Sequence, residues 1–230
     1  MSLASHAMAR TDKAEMNLTP RANEFRETLK AEAAAYEVLL TPESVNGLTQ
    51  YFELLERWNS RVHLVAPCSA REFATRHVLE SLTLLKHLRA GARIAEVGAG
   101  GGLPIVPCLI VRPDLNAVLI EAAQKKTVFL REALSEVKLS GRASVVNARF
   151  EDVPTPSVDV VTCRALERFE EMLPHLLDWA PGRATLLLFG STRLATRIEG
   201  LGFSSVAELM PQSNNRYLFI MNRSKTSGIE

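Results

Sequence analysis

The sequence has few cysteines and no long apolar run. Its three cysteines, Cys68, Cys108 and Cys163, are too few and too scattered for a disulfide framework or a metal site. No apolar stretch approaches the roughly eighteen residues that span a bilayer, and the stretch from Met1 to Met16 lacks the apolar core of a secretory signal. We therefore expect a cytoplasmic protein that uses no metal ion and no membrane.

A strong charge of either sign is also missing. The 230 residues include 27 Lys and Arg against 26 Asp and Glu, for a net charge of +1. Because no polybasic arm is present, any nucleic-acid binding would depend on a local patch. The composition, 47% hydrophobic and 23% charged, is that of a globular protein long enough for one α/β domain and an appendage.

The most informative stretch is 93–104, which contains four glycines within five positions. An apolar run, a glycine cluster and then Pro104 predict a strand, a tight loop and the start of a helix. Glycines leave no side chain between the main chain and a ligand, and the first turn of a helix offers free N–H groups. This arrangement indicates a nucleotide-type ligand.

Two common nucleotide motifs are absent from this loop. A dinucleotide fingerprint begun at Gly98 needs a glycine where Leu103 stands, and one begun at Gly100 needs a glycine where Ile105 stands. A phosphate-binding P-loop needs Gly-Lys followed by Ser or Thr, which the chain lacks here. The remaining pattern, E/D-x-G-x-G-x-G, resembles motif I of the class I methyltransferases, which bind S-adenosylmethionine (SAM).

Two acids flank the glycine loop along the chain. Glu96 precedes the loop and could accept hydrogen bonds from amino or hydroxyl groups of a ligand. Glu121 ends the next predicted strand, 116–120, where doubly wound folds carry the acid that holds ribose hydroxyls. The alternative is a glycine-rich turn with two incidental surface acids.

Helical patterns precede the loop, and strands alternate with helices after it. Helices are predicted over 21–40, 45–59 after the cap Thr41 and Pro42, and 69–88. The three- and four-residue spacing of one apolar stripe predicts a buried face: Leu48, Tyr51, Phe52, Leu55 and Trp58. Later helices are expected over 104–111, 125–137, 169–179 and 192–201, with strands over 143–146, 158–165, 184–189, 204–210 and 217–221.

This order predicts a Rossmann-like, doubly wound α/β fold. The expected sheet is seven-stranded and mainly parallel, and its last pair brings in an antiparallel strand. We expect a disordered tail over 1–20, an N-terminal helical extension over 21–90 and a SAM-binding methyltransferase domain over 91–230.

Three motifs give the chain a closer resemblance. RWNSRVHLVA (57–66), RHVLESL (76–82) and GLPIVP (102–107) resemble motifs of the bacterial 16S rRNA guanine-N7 methyltransferases, the glucose-inhibited division protein B family. The chain departs from that family at His63, Val65 and Glu80, and at Phe189, where the family has a lysine.

The resemblance implies SAM as cofactor and guanine N7 in 16S rRNA, or in the small ribosomal subunit, as target. Together with the loop argument, it gives the expected SAM-binding residues: Glu96, Gly98, Gly100, Gly102, Leu103, Glu121, Phe150, Glu151 and Arg164. Arg164 is also expected to position the reactants. The candidates for RNA contact are Arg76, His77, Lys125, Lys126 and Arg216. The alternative for Arg76 and His77 is a capped or salt-bridged surface feature of a helix, and the alternative for the two lysines is a solvated helix start.

Other interpretations stay open at this point. Cys163, where the family has serine, could be the nucleophile of a pyrimidine-C5 methyltransferase. The changed residue at Phe189 allows a SAM-dependent enzyme that acts on a different RNA or on a small molecule. A non-catalytic, SAM-binding, RNA-associated protein is the third possibility. We expect a monomer in each case.

Overall fold

A computed structural model defines the protein over residues 18–164 and 169–222. Its centre is a seven-stranded sheet in the order β3-β2-β1-β4-β5-β7-β6. The strands are β1 (Arg93–Val97), β2 (Asn116–Ile120), β3 (Ala143–Val146), β4 (Val160–Cys163), β5 (Thr185–Gly190), β6 (Val206–Leu209) and β7 (Tyr217–Asn222). Most of the predicted tail, 1–17, lies outside the described residues.

The first five strands are parallel, and β7 is antiparallel to both of its neighbours. Strands β1 and β5 are buried along most of their length, as expected for apolar strands covered on both faces. The chain adds β2 and β3 on one side of β1, and β4 and β5 on the other. The predicted doubly wound, mainly parallel sheet is confirmed, and its switch point lies between β1 and β4.

The first helix is shorter than predicted. Helix α1 (Pro20–Glu32) begins at Thr19, whose hydroxyl accepts a hydrogen bond from Ala22 N. The prediction of one helix over 21–40 is wrong beyond this point, because a 3₁₀ turn follows (Ala33–Tyr36). Glu37, with φ of 57°, then takes a left-handed conformation that ends the helical path.

Helix α2 (Pro42–Val62) begins directly after Thr41, the cap residue predicted from the sequence. The Thr41 hydroxyl accepts a hydrogen bond from Ser44 N at 3.2 Å. The apolar stripe is core: Leu48, Tyr51, Phe52 and Leu55 are buried, and the half-buried Trp58 packs against them. The prediction of a buried face is therefore confirmed.

Helix α3 (residues 70–82) is not the uninterrupted α-helix predicted over 69–88. Short α-helical ends, Ala70–Glu72 and Glu80–Leu82, flank a π-helical segment, Phe73–Leu79. A 3₁₀ helix, Thr83–His87, follows. The carbonyls of Arg76 and His77 in the π segment accept hydrogen bonds from a distant arginine side chain, and such an outside partner is a common cause of helix irregularity.

Four further helices cover the sheet: α4 (Ile105–Val111), α5 (Gln124–Glu136), α6 (Phe169–Trp179) and α7 (Thr192–Gly200). One core contains residues of α1 to α5 and one face of the sheet, and the other contains α6, α7 and the opposite face. The N-terminal extension thus shares a core with the sheet, and the boundary at 90/91 stays a prediction. Within the described ranges, no helix is both long and apolar enough to cross a membrane.

Candidate functional site

A cavity of about 670 Å³ lies at the carboxyl ends of β1 to β4. Most of its walls come from the loops that follow these strands, which is the usual ligand position in a doubly wound sheet. Nine of the predicted site residues line it: His77, Gly98, Gly100, Leu103, Glu121, Lys126, Phe150, Glu151 and Arg164. Five others do not: Arg76, Glu96, Gly102, Lys125 and Arg216.

The glycine loop forms one wall of the cavity. Gly98 and Gly100 have φ of 69° and 53°, in the left-handed region that favours glycine. Gly98 N donates to Ile120 O at 2.9 Å, which ties the loop to β2. A Cβ added at Gly100 would meet only Gly98 O, at 3.8 Å. The loop therefore leaves space open to a ligand at Gly100.

Gly102 has a packing role in this structure. Its φ is 82°, and a Cβ added there would lie 2.6 Å from Val106 Cγ2 and 3.3 Å from Leu130 Cδ2. Gly102 N donates to Ala99 O, and its carbonyl accepts from Val106 N, so the residue closes the turn into α4. The sequence placed Gly102 beside the cofactor, whereas the structure places it against the following helices.

Glu121 joins the end of β2 to the glycine loop. It is buried, and its Oε2 accepts from Gly100 N at 2.8 Å while Oε1 accepts from Ala123 N at 2.8 Å. Each carboxylate oxygen keeps a further lone pair. The side chain therefore shapes the loop and still offers acceptors to the cavity.

Glu96 points into the protein and does not line the cavity. Its Oε2 accepts from Ile105 N at 3.2 Å, and Oε1 has no hydrogen-bond partner among the described residues. Burial raises the pKa of this carboxyl group to about 8, although the Ile105 N–H and the charge of Arg164 act in the opposite direction. Near neutral pH the group is therefore mostly protonated.

A glutamine at position 96 should remove one pH-dependent contribution to stability. As pH rises above the unfolded-state pKa of 4.5, the unfolded chain ionises while the folded carboxyl keeps its proton until about pH 8. The free energy of unfolding of the wild type should thus fall more between pH 5 and pH 8.5 than that of Glu96→Gln. Urea denaturation at the two pH values measures this difference, and equal falls would contradict a buried neutral acid.

Phe150 and Glu151 follow β3 and border the cavity. The Phe150 ring packs edge-on against Trp179 of α6, with centroids 5.7 Å apart. Trp179 Nε1 in turn donates to Val153 O at 2.7 Å. These contacts fix an apolar ring beside an exposed carboxylate.

Arg164 lies at the end of β4, and its largely buried side chain is bound on several sides. Its guanidinium donates to the carbonyl oxygens of Arg76 (2.5 Å) and His77 (3.2 Å) and to Ser81 Oγ (3.0 Å). It also pairs with Glu80 at 3.2 Å. Burial lowers the pKa of Arg164, and Glu80 opposes that effect. The arginine thus joins β4 to helix α3.

Glu80 is a site residue to which the sequence gave no role. It is buried and binds Arg216, the residue before β7, at 2.6 Å as well as Arg164. The sequence feature that could have identified Glu80 is its position within the RHVLESL motif. We use the name arginine triad for Arg164, Glu80 and Arg216, which joins α3, β4 and β7.

Phe189, at the end of β5, lies against the same guanidinium. The centre of its buried ring is 5.2 Å from Arg164 Cζ, within the range of a cation–π contact. A lysine here would bring a third cation close to the arginine triad. The departure from the resembled family therefore has a local structural role.

His77 is a neutral side chain at the cavity wall. Desolvation and the nearby charges of Arg164, Arg76 and Arg216 lower its pKa to about 3. Its ring lies 5.3 Å from that of Phe73. The adjacent Arg76 points outward to an exposed ion pair with Glu72.

The two predicted RNA-binding lysines open helix α5 at the mouth of the cavity. Lys126 lines it, and the neighbouring Lys125 is exposed. The sequence did not single out Arg149, an exposed residue that also lines the cavity. Arg149 could have been identified from the sequence because it directly precedes Phe150, a predicted site residue. Positive charge therefore borders the opening at the start of α5 and on the loop after β3.

Comparisons with known proteins agree with this geometry. The family model described as rRNA small subunit methyltransferase G (GidB) matches residues 44–201. The chain is 37% identical over 157 residues to "Ribosomal RNA small subunit methyltransferase G" of Neisseria meningitidis serogroup A, covering 67% of this chain and 75% of the relative. It is likewise 37% identical over 153 residues to the protein of that name from Chromobacterium violaceum, covering 65% and 73%.

A solved structure of a SAM dependent methyltransferase from Aquifex aeolicus has a similar fold. The TM-score is 0.50 at 15% identity, and the match covers 61% of this chain and 89% of the other. At that identity the likeness concerns the fold alone.

Proposed function

The chain belongs to the rRNA small subunit methyltransferase G family, and from this membership we propose that it methylates the N7 atom of a guanine in 16S rRNA. As a member of the family it is a SAM-dependent methyltransferase of small-subunit ribosomal RNA. The target atom, the residues that bind SAM and RNA, and a monomeric state are our proposals.

The cavity suits SAM in size and chemistry. Its volume falls within the roughly 300–1,000 Å³ of small-molecule sites. Glu121 offers carboxylate oxygens for ribose hydroxyls, Phe150 offers an apolar ring for the adenine, and Gly100 leaves room for the ligand. SAM, when bound, supplies a methyl group on a positively charged sulfur.

One observation supports guanine N7 over a pyrimidine C5 target: no cysteine of the described residues lines the cavity. Cys163 is fully buried in the core between the sheet and α6. Methylation of a pyrimidine at C5 needs a covalent nucleophile, whereas guanine N7 already carries a nucleophilic lone pair. An enzyme for N7 has to align the base with the methyl group and exclude water, and His77 and Arg164 are polar groups at the cavity that could orient a base.

Methyl incorporation tests the proposal. Small ribosomal subunits that lack this modification are incubated with the protein and labelled SAM, and the modified nucleoside is identified by mass. We expect 7-methylguanosine at one site, and a different methylated nucleoside would overturn the choice of N7. No incorporation by a protein that still binds SAM would favour another acceptor.

The variant Cys163→Ser tests whether Cys163 acts as a covalent nucleophile. Serine is similar in size to cysteine, so the variant should fold and transfer methyl groups at a rate within about twofold of the wild type. Loss of activity in a folded Cys163→Ser protein would indicate a covalent cysteine and a pyrimidine target.

A second candidate function follows from Phe189. Its buried ring occupies the position at which the resembled family has a lysine, so the surroundings of Arg164 lose one cation. This supports methylation of another RNA or of a small molecule as the alternative. The same incorporation assay, repeated on other acceptors, separates the two candidates.

Replacing Lys125 and Lys126 together with glutamine should weaken RNA binding and lower its salt dependence. Each lost phosphate contact should reduce the slope of log K against log salt by about 0.7 to 0.9. RNA binding measured at several salt concentrations gives the slope. The control is Lys138→Gln, an exposed lysine just beyond the other end of α5. Equal slopes for both variants would contradict a phosphate contact at the two lysines.

A further inference from the structure

We propose that Asn59 is a positioning residue of the SAM cavity: its side-chain amide holds the backbone of Val65 and fixes residues 64–66 as a cavity wall. The proposal depends on the assignment of the cavity to SAM and is independent of the target base. Asn59 does not line the cavity itself and acts through the segment that it holds.

The two hydrogen bonds have complementary directions. Asn59 Oδ1 accepts from Val65 N at 2.9 Å, and Asn59 Nδ2 donates to Val65 O at 3.0 Å. The Asn59 carbonyl also accepts from His63 N at 3.1 Å, where φ of 52° turns the chain out of α2. One residue therefore ends the helix and fixes the loop that follows it.

The segment held in this way is part of the cavity. Leu64, Val65 and Ala66 all line it. Leu64 also lies against the glycine loop, because a Cβ added at Gly101 would be 3.6 Å from Leu64 Cβ. This short apolar wall comes from the N-terminal extension, whereas most of the other walls come from the sheet loops.

The chemistry of the contact requires an amide. A primary amide presents one acceptor and one donor in a plane, which matches the N–H and C=O of a single residue. Aspartate could accept from Val65 N, but its second oxygen would face the Val65 carbonyl. Alanine would leave both backbone groups to find water or other partners, and the wall would no longer be held in place.

The experiment compares Asn59→Ala with Asn46→Ala in the full chain. Asn46 lies on the same helix, and its replacement also removes a side-chain hydrogen bond, the one that Asn46 Oδ1 accepts from Arg26 at 2.8 Å, but it does not line the cavity. Calorimetry of SAM binding without RNA, thermal unfolding and steady-state methyl transfer are measured for both. For Asn59→Ala we expect a Kd for SAM at least tenfold higher, with a KM for SAM that rises and a KM for RNA within twofold of the wild type. Asn46→Ala should bind SAM as the wild type does.

Wild-type SAM affinity in a folded Asn59→Ala protein would overturn the proposal. The proposal would also be overturned if both variants lost SAM affinity in the same proportion to their fall in thermal midpoint, because that result would indicate general destabilisation. If Asn59→Ala does not fold, Asn59→Asp, which keeps the bond to Val65 N, takes its place with the same expected loss of SAM affinity. A wild-type protein that does not bind SAM would instead overturn the cofactor assignment on which the proposal depends.

Discussion

Replacing Glu80 with glutamine should lower the free energy of unfolding by about 3 kcal/mol, the lower end of the range for breaking a buried ion pair. The Glu80 side chain is 1% exposed, and its carboxylate is shared by Arg164 and Arg216. Without that charge, two guanidinium groups remain close together, and the Arg164 side chain is only 13% exposed. We choose the lower end because Arg216 is 38% exposed and water can partly solvate it. Urea denaturation measures the change.

The control is Glu72→Gln on the same helix. Glu72 pairs with Arg76 at 2.9 Å, but both side chains are more than 40% exposed. An exposed pair of this kind contributes at most about 1 kcal/mol. Similar losses in the two variants would contradict the view that the arginine triad stabilises the junction of α3, β4 and β7.

Gly100→Val should reduce affinity for SAM at least about 100-fold, which corresponds to about 2.7 kcal/mol. A Cβ at Gly100 meets only Gly98 O at 3.8 Å, so the added side chain would point into space that the ligand needs. Valine also disfavours the φ of 53°, and the loop would shift away from Glu121. Calorimetric titration with SAM gives the affinity.

Gly91→Val separates the two effects. Gly91 has φ of 67° and nothing within 4 Å of an added Cβ, so the variant carries similar backbone strain away from the cavity. It should lose stability and keep its affinity for SAM. If both variants lose affinity equally, the effect comes from strain, and Gly100 does not border the ligand. Gly100→Ala and Gly91→Ala repeat the comparison with less strain if the valine variants do not fold.

The sheet and the position of the cavity could be predicted because they depend on local patterns. Apolar runs that alternate with amphipathic helices predict a doubly wound sheet, and such a sheet has its ligand site at the carboxyl ends of its strands. Glu121 directly follows β2, and Gly100 lies three residues after the end of β1. The topology therefore brings them close together, and Gly100 N donates to Glu121 Oε2.

The roles of Glu96 and Gly102 could not be predicted in the same way. Both are within a few residues of Gly100, but strand alternation and the loop path turn them away from the cavity. Glu96 accepts from the first residue of α4, and Gly102 packs against Val106 and Leu130. Side-chain direction inside a tight loop depends on three-dimensional packing, which residue spacing does not specify.

The π segment and the arginine triad depend on contacts between residues far apart in the chain. Helix propensity favours an ordinary helix over 69–88, and it contains no information about the Arg164 side chain that binds the Arg76 and His77 carbonyls. Glu80 and Arg216 are separated by more than a hundred residues. Pairings of this kind become apparent only once the sheet brings β4 and β7 near α3.

The hydroxyl of Tyr51 donates to Gly101 O at 2.5 Å, across the boundary between the extension and the glycine loop. Because a side chain of α2 holds the glycine loop that we propose binds SAM, we expect ligand binding and the docking of α2 to be thermodynamically linked. We expect SAM to slow amide hydrogen exchange along α2 as well as in the glycine loop, because the two segments should then open together as one cooperative unit. The extension thus supports the glycine loop through Tyr51 and also contributes the cavity wall at residues 64–66.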